Sequence, residues 1–203
     1  RTSFGFIDRF LCVAEAYGIE AMVVLNKSDL VKTQPLKDLS QKYIDTYKNA
    51  GYNVVQLSAE TGDGVENLKD LLQNKTTLVF GHSGVGKSTL LNTIQPELDL
   101  RTGEISEVHS KGKHTTTFAE MFELDFGGFV IDTPGVKEFG MVNMDKSEVS
   151  HYFPEIFKTA ASCKFGNCIH QNEPGCAVKK SVEDDVISES RYSSYLSIVE
   201  SLE

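Results

Sequence analysis

Phe6, Phe10, Ala14 and Tyr17 recur at the spacing of one helix face, and Gly18 follows as a stop signal. Ala21 to Leu25 is a continuous apolar run, which predicts a buried strand. After Pro35, the residues Leu36, Leu39, Tyr43 and Tyr47 share a second helix face, closed by Gly51. Val54 to Leu57 predicts a second buried strand. Val65 to Leu72 predicts a short helix with Val65, Leu68, Leu71 and Leu72 inward. Leu78 to Phe80 reads as a third strand and Ser88 to Ile94 as a helix. This alternation predicts an α/β fold with a mostly parallel sheet and helices on both faces.

The pattern then changes. Asp99 to Thr117 is polar, contains glycine and has no periodicity, so it reads as a long loop, and long loops in compact domains are usually functional. Phe118 to Leu124 and Phe129 to Ile131 predict two strands joined by a tight turn at Gly127-Gly128. Beyond Met144 the chain becomes helical around a Cys/His-rich loop, which places a domain boundary there: residues 1–144, then 145–203.

The 203 residues, 40% hydrophobic, suffice for one sizeable core plus a small satellite domain. Twenty basic against 29 acidic residues give a net charge of −9, which argues against broad nucleic-acid binding except through a local basic patch. No stretch approaches the length of a membrane span, and the opening residues lack a signal-peptide pattern. The start at Arg1 rather than Met suggests that an N-terminal part is missing. Cys12 lies on the apolar face of the first helix and reads as a core residue.

The candidate chemistry begins with Gly81-His82-Ser83-Gly84-Val85-Gly86-Lys87-Ser88, which matches G-x-x-x-x-G-K-[ST] between a strand and a helix. Its glycines let the backbone approach phosphates, the helix start adds positive potential, and Lys87 reaches the β- and γ-phosphates. The Ser88 hydroxyl, followed by Thr89, is expected to ligate Mg²⁺. Asn26-Lys27-Ser28-Asp29 follows a strand and matches N-K-x-D. The Asp29 carboxylate can accept from guanine N1–H and N2–H₂, whereas adenine would leave it buried and unpaired. Asn26 can bridge base and phosphate loop, and the Lys27 stem can cover the ring. Ser58-Ala59-Glu60 resembles a third element, whose Ala59 N–H contacts guanine O6.

Asp132-Thr133-Pro134-Gly135 matches D-x-x-G at a strand end: Asp132 for Mg²⁺, the Gly135 N–H for the γ-phosphate. Lys113-His114-Thr115-Thr116-Thr117 lies in the long loop, where a threonine, Thr116 by preference, can complete the Mg²⁺ site. Val136 stands where many GTPases have a water-orienting Gln. His114 is therefore the nearest catalytic candidate beside Lys87, with His82 a lesser one. The order of the motifs is that of a Ras-like GTPase cut at another point, a circular permutation that sends the chain from D-x-x-G straight into the C-terminal part. Nucleotide state is therefore expected to move that part through residues Val136 to Asp145. Two other classes stay open on these residues: a nucleotide-gated binding module with negligible hydrolysis, and an ATPase or kinase sharing the phosphate loop.

Cys163-x4-Cys168-x-His170-x5-Cys176 offers three thiolates and an imidazole, a closed tetrahedral Zn²⁺ set with a structural role, and suits a reducing compartment. Lys164, Lys179 and Lys180 form the best local basic patch for RNA phosphates.

Together, the permuted order, Gly81 to Thr89, the Lys-His-Thr-Thr-Thr run, Asp132 to Gly135 and the C-x4-C-x-H-x5-C cluster resemble the small ribosomal subunit biogenesis GTPases, the RsgA family. The resemblance covers essentially the whole chain. It implies a GTPase, binding GTP/GDP, Mg²⁺ and Zn²⁺, that is stimulated by the small ribosomal subunit. It implies a monomer in the cytoplasm that acts late in 30S maturation by contacting 16S rRNA and ribosomal proteins. It also implies an N-terminal OB-fold domain, which these residues do not include, so tight subunit binding by this chain is not expected. Within the family, the hydrophobic residue after D-x-x-G corresponds to Val136 and the proposed catalytic histidine to His114.

Overall fold

A computed structural model describes residues 2–100, 119–133 and 144–202. These include seven α-helices and five strands in the order α1 (Phe4–Ala16), β1 (Met22–Leu25), α2 (Gln34–Asn49), β2 (Asn53–Gln56), α3 (Val65–Leu72), β3 (Thr76–Val79), α4 (Lys87–Ile94), β4 (Glu120–Glu123), β5 (Phe129–Asp132), α5 (Pro154–Ala160), α6 (Ala177–Glu183) and α7 (Glu189–Ser201). Each expected element is present within a few residues. Two compact units divide the chain: Val24–Leu36 with Val55–Glu138, and Thr2–Val23 with Lys37–Val54 and Phe139–Glu203. Three of the dividing points fall inside β1, α2 and β2.

In the first unit β3 and β5 pair in parallel, Val79 opposite Asp132, and β4 lies antiparallel on the far side of β5, Glu120 opposite Asp132. β1 and β2 form a separate pair. The β4–β5 turn needs its glycines. Gly128 has φ +100°, and a Cβ there would lie 2.5 Å from the Lys75 carbonyl, which accepts the Phe129 N–H. α3 packs on α4, and Val65, Leu68, Leu72, Leu90, Leu91 and Ile94 are buried.

In the second unit α1 packs along α7, and a core of Cys12, Val149, Phe153, Ile156, Val178, Ile187, Tyr195, Ile198 and Val199 forms around them. Cys12 is fully buried, as its position on the helix face predicts. Within this unit lies a charged cluster. Arg191 of α7 donates from Nε and Nη2 to the two Glu155 oxygens (2.7 and 3.1 Å) and from Nη1 to Asp8 Oδ1 (2.9 Å). Its guanidinium also lies 4.4 Å from the centre of the Phe153 ring. Burial alone would favour the neutral form, but the Glu155 hydrogen bonds and the Glu155 and Asp8 charges hold this arginine firmly cationic. Burial favours the neutral form of Asp8 as well, raising its pKa against the pull of Arg191.

Several expectations need correction. Val54 to Leu57 is not buried along its length: Val55 and Leu57 face inward and Gln56 is exposed, the alternation of a half-covered strand. In β1 only Val23 is fully buried. The third strand runs from Thr76 to Val79 rather than from Leu78 to Phe80, because its partner β5 sets the register, and Leu78 is exposed. Leu36, at the start of the predicted apolar face of α2, is also exposed; that face becomes buried only at Tyr47. The long polar loop lies outside the described residues beyond Leu100.

Candidate nucleotide site and metal centre

The parallel pairing of β3 with β5 fixes the frame of the nucleotide site. It puts Asp132 beside Val79, two residues before the phosphate loop, and Thr133 Oγ1 donates to the Val79 carbonyl at 3.4 Å. The loop from Gly81 to Gly86 then turns into α4 with Gly84 and Gly86 at φ +77° and +94°. No side chain caps α4, so the first-turn N–H groups at Lys87, Ser88 and Thr89 are not claimed by a cap and can face a phosphate. Lys87 Nζ curls over the loop, donating to the carbonyls of Gly81 (2.7 Å) and His82 (2.9 Å). Partial burial lowers the Lys87 pKa, and the Asp132 charge opposes this. The loop is therefore shaped as a cradle with a cation across its mouth and a carboxylate next to it.

The N-K-x-D element reaches this cradle directly. Asn26 Nδ2 donates to the Val85 carbonyl at 3.1 Å, and Lys27 Nζ donates to the Gly84 carbonyl at 2.8 Å. Asn26 Oδ1 accepts from the N–H groups of Lys27 (2.7 Å) and Ala59 (3.0 Å). A Cβ at Gly86 would lie 2.6 Å from Asn26 Nδ2, so glycine is required there by space as well as by φ. Ser28 N–H donates to the Leu57 carbonyl, which seats the next residue, Asp29, beside Ser58. The Ser58 hydroxyl donates to Asp29 Oδ1 at 2.6 Å and accepts from Thr61 N–H. One Asp29 oxygen is thus oriented by a fully buried serine. The Ala59 N–H, expected at guanine O6, is bonded to Asn26 Oδ1 in this state, so reaching a base requires that bond to be shared or exchanged.

Asn26 to Asp29, Ser58, Ala59, Gly81 to Thr89 and Asp132 therefore lie in one unit, linked by named bonds. His114, Thr115, Thr116, Thr117, Pro134, Gly135 and Val136 lie outside the described residues. Sequence reading missed three polar residues of α4 and the turn just after it. Asn92 pairs with both backbone groups of Leu100 (2.7 and 2.8 Å). Thr93 Oγ1 lies 2.8 Å from the Ala59 carbonyl. Gln95, nearly buried, holds the Glu123 carbonyl and the Asp125 N–H. The signal was available, since polar residues interrupt the apolar set of Leu90, Leu91 and Ile94 on a short helix.

The Cys/His cluster forms the core of the other candidate site. The ligand atoms of Cys163, Cys168, His170 and Cys176 all lie within 4.8 Å of one another. Cys163 and Cys176 Sγ are 3.9 Å apart, and His170 Nδ1 lies 3.6 and 3.4 Å from them. A tetrahedral Zn²⁺ with Zn–S near 2.3 Å and Zn–N near 2.0 Å requires separations of about 3.8 Å (S···S) and about 3.5 Å (S···N). The donor set and its spacing therefore fit Zn²⁺, and the cysteines are free thiols rather than disulfides. Burial pushes the Cys168 thiol up to about 12, with Cys176 and Cys163 adding and a backbone bond at His170 opposing. A divalent cation reverses that preference by favouring thiolates. Burial also lowers the His170 pKa, keeping the imidazole in its neutral, ligating form.

The loop around His170 is ordered from both sides. The Glu173 carboxylate accepts from the N–H groups of Ile169 (2.7 Å), Gln171 (2.9 Å) and Asn172 (3.1 Å). Tyr192 and Tyr195 hydroxyls donate to the carbonyls of His170 (2.6 Å) and Ile169 (2.7 Å). These bonds support His170 at φ +59°, a left-handed conformation unusual for a residue with a side chain.

Comparison with known proteins agrees with this geometry. Residues 1–142 match the family model of the RsgA GTPase. The small ribosomal subunit biogenesis GTPase RsgA of Bacteroides fragilis (strain YCH46) is 52% identical over 202 residues, covering 100% of this chain and 65% of that protein. Its namesake from Flavobacterium psychrophilum is 53% identical over 200 residues, covering 98% of this chain and 61% of the relative. The chain thus spans just under two thirds of the length of these curated relatives. Among solved structures, YjeQ from Thermotoga maritima superposes with a TM-score of 0.83 at 38% identity, covering 100% of this chain and 66% of that one. YloQ, described as a circularly permuted GTPase, superposes with a TM-score of 0.78 at 34% identity, covering 98% of this chain and 63% of that one. A phosphate loop bonded to an N-K-x-D element that precedes it in the chain, matched over most of its length, leads to one conclusion: the chain belongs to the RsgA GTPase family.

Proposed function

We propose that this chain is a GTP-binding and GTP-hydrolysing domain, converting GTP and water to GDP and phosphate, and that it serves the late maturation of the small ribosomal subunit, which stimulates it. The single observation that carries the reading is the pair of bonds from Asn26 and Lys27 to the Val85 and Gly84 carbonyls. They bring a carboxylate suited to guanine and a cradle suited to phosphates to one site. In this reading Asp29, steadied by Ser58, accepts from guanine N1–H and N2–H₂. Gly81 to Thr89 hold the phosphates and Lys87 offsets negative charge developing on them. Ser88, Asp132 and Thr116 would hold Mg²⁺, which when bound would offset negative charge on the phosphates. Gly135 senses the γ-phosphate, and His114 helps position the attacking water where Val136 cannot.

In the same reading residues 1–144 form the GTPase domain and 145–203 the zinc-binding domain, and the family match to residues 1–142 supports that division. Zn²⁺ sits on Cys163, Cys168, His170 and Cys176 and holds that domain's loop together. Lys164, Lys179 and Lys180 meet 16S rRNA phosphates. The chain works as a cytoplasmic monomer. No described helix is long and apolar enough to cross a membrane.

Phosphate release under multiple turnover, with and without small subunits, tests the reading for this chain and for His114→Ala. Stimulated GTP turnover that His114→Ala abolishes supports it. Equal stimulated rates remove His114 from the mechanism, and nucleotide-dependent binding with no turnover favours a gated binding module instead.

A further inference from the structure

Ala59 is fixed on both of its backbone groups by side chains from elsewhere in the fold. Its N–H donates to Asn26 Oδ1 at 3.0 Å, and its carbonyl accepts from Thr93 Oγ1 at 2.8 Å. The preceding peptide is held as well, since the Ser58 carbonyl accepts from Gly62 N–H. Thr93 sits on α4, the helix that starts at Lys87 and ends the phosphate loop. The same hydroxyl lies 2.8 Å from the Thr89 carbonyl one turn earlier. A hydroxyl has one proton, so these two carbonyls compete for it. When it bonds Ala59, the phosphate helix grips the base-reading loop; when it bonds Thr89, it only completes a helical turn.

We propose that Thr93 is a positioning residue for guanine recognition, holding the Ala59 carbonyl and so the orientation of the residue whose N–H presents to the base O6, while the same helix holds the phosphates. This rests on the guanine-nucleotide reading above. Ala59 is buried, so leaving its carbonyl without Thr93 is costly, and the loop is expected to shift to satisfy it. A shift of Ala59 moves the N–H aimed at O6 and leaves Asp29, which reads the neighbouring N1–H and N2–H₂ groups, in place on Ser58.

The test is the rate of nucleotide release from the wild-type chain, Thr93→Val and Thr93→Ser, with fluorescently labelled GDP. A second ligand is the labelled diphosphate of 6-thioguanosine, which keeps N1–H and the amino group but replaces O6 with a weakly accepting sulfur. Valine keeps the shape and removes the hydroxyl; serine keeps the hydroxyl. Thr93→Val is expected to release GDP roughly tenfold faster, the size of one lost hydrogen bond. Thr93→Ser is expected to stay within about twofold of wild type, and the valine effect is expected to shrink below about twofold on the ligand without O6. GDP release unchanged in Thr93→Val overturns the proposal. So does an equal acceleration on both ligands, which marks a general loosening. If wild type itself does not prefer GDP over ADP, the guanine reading fails first, and the proposal with it.

Discussion

The nucleotide site and the metal centre solve opposite problems. The first must stay open to a large ligand, so its side chains are half-exposed and bond backbone carbonyls: Lys87 on Gly81 and His82, Lys27 on Gly84, Asn26 on Val85. Such bonds can be given up when phosphates and a base arrive. The second must hold a small ion permanently. His170 is 1% exposed, and its turn is tied by one carboxylate and two tyrosine hydroxyls. Nearby, Arg191 is 1% exposed and carries two carboxylates. An exchangeable site is built from glycine and backbone, whereas a permanent one is built from converging buried side chains.

That contrast breaks most visibly when the metal is removed. A strong chelator is expected to cost the second unit on the order of 10 kcal/mol of metal-linked folding energy. Hydrogen exchange should then rise far more at residues 149–202 than at 76–94, and equal loss in both regions would show that the two sites do not differ in this way. Next in size, Arg191→Met leaves Asp8 and Glu155 without their cation and should destabilise the fold by about 3–5 kcal/mol in denaturant melts. A loss under about 1 kcal/mol would mean that the cluster is no more than a surface-type pair. The smallest effect is on the open site. Gly86→Ala places a Cβ 2.6 Å from Asn26 Nδ2 at φ +94°, and GDP affinity should fall roughly tenfold with a loss of about 1–3 kcal/mol in denaturant melts. Unchanged affinity would show that the Asn26 contact is not needed for the cradle.

Much of this was legible in the sequence, for physical reasons. The glycines of the phosphate loop, the Asn-Lys-Ser-Asp tetrapeptide and the cysteine spacing are demanded by local backbone and ligand chemistry, so they can be read from a short window. The burial of β2 and the register of β3 could not, because they depend on which strand lies alongside. Arg191 with Asp8 and Glu155 was also invisible, since its partners come from helices far apart in the chain, and an arginine among serines and tyrosines looks like a solvated face. Thr93 was hidden likewise: only the folded chain shows which carbonyl its hydroxyl meets.

The most direct measurement is competitive binding of GDP and xanthosine diphosphate to the wild-type chain and to Asp29→Asn. Xanthine replaces the 2-amino group with a carbonyl, so the asparagine amide can donate where the aspartate could only accept. The account predicts that Asp29→Asn loses GDP by roughly a hundredfold and gains xanthosine diphosphate. GDP affinity left intact by that substitution would contradict it.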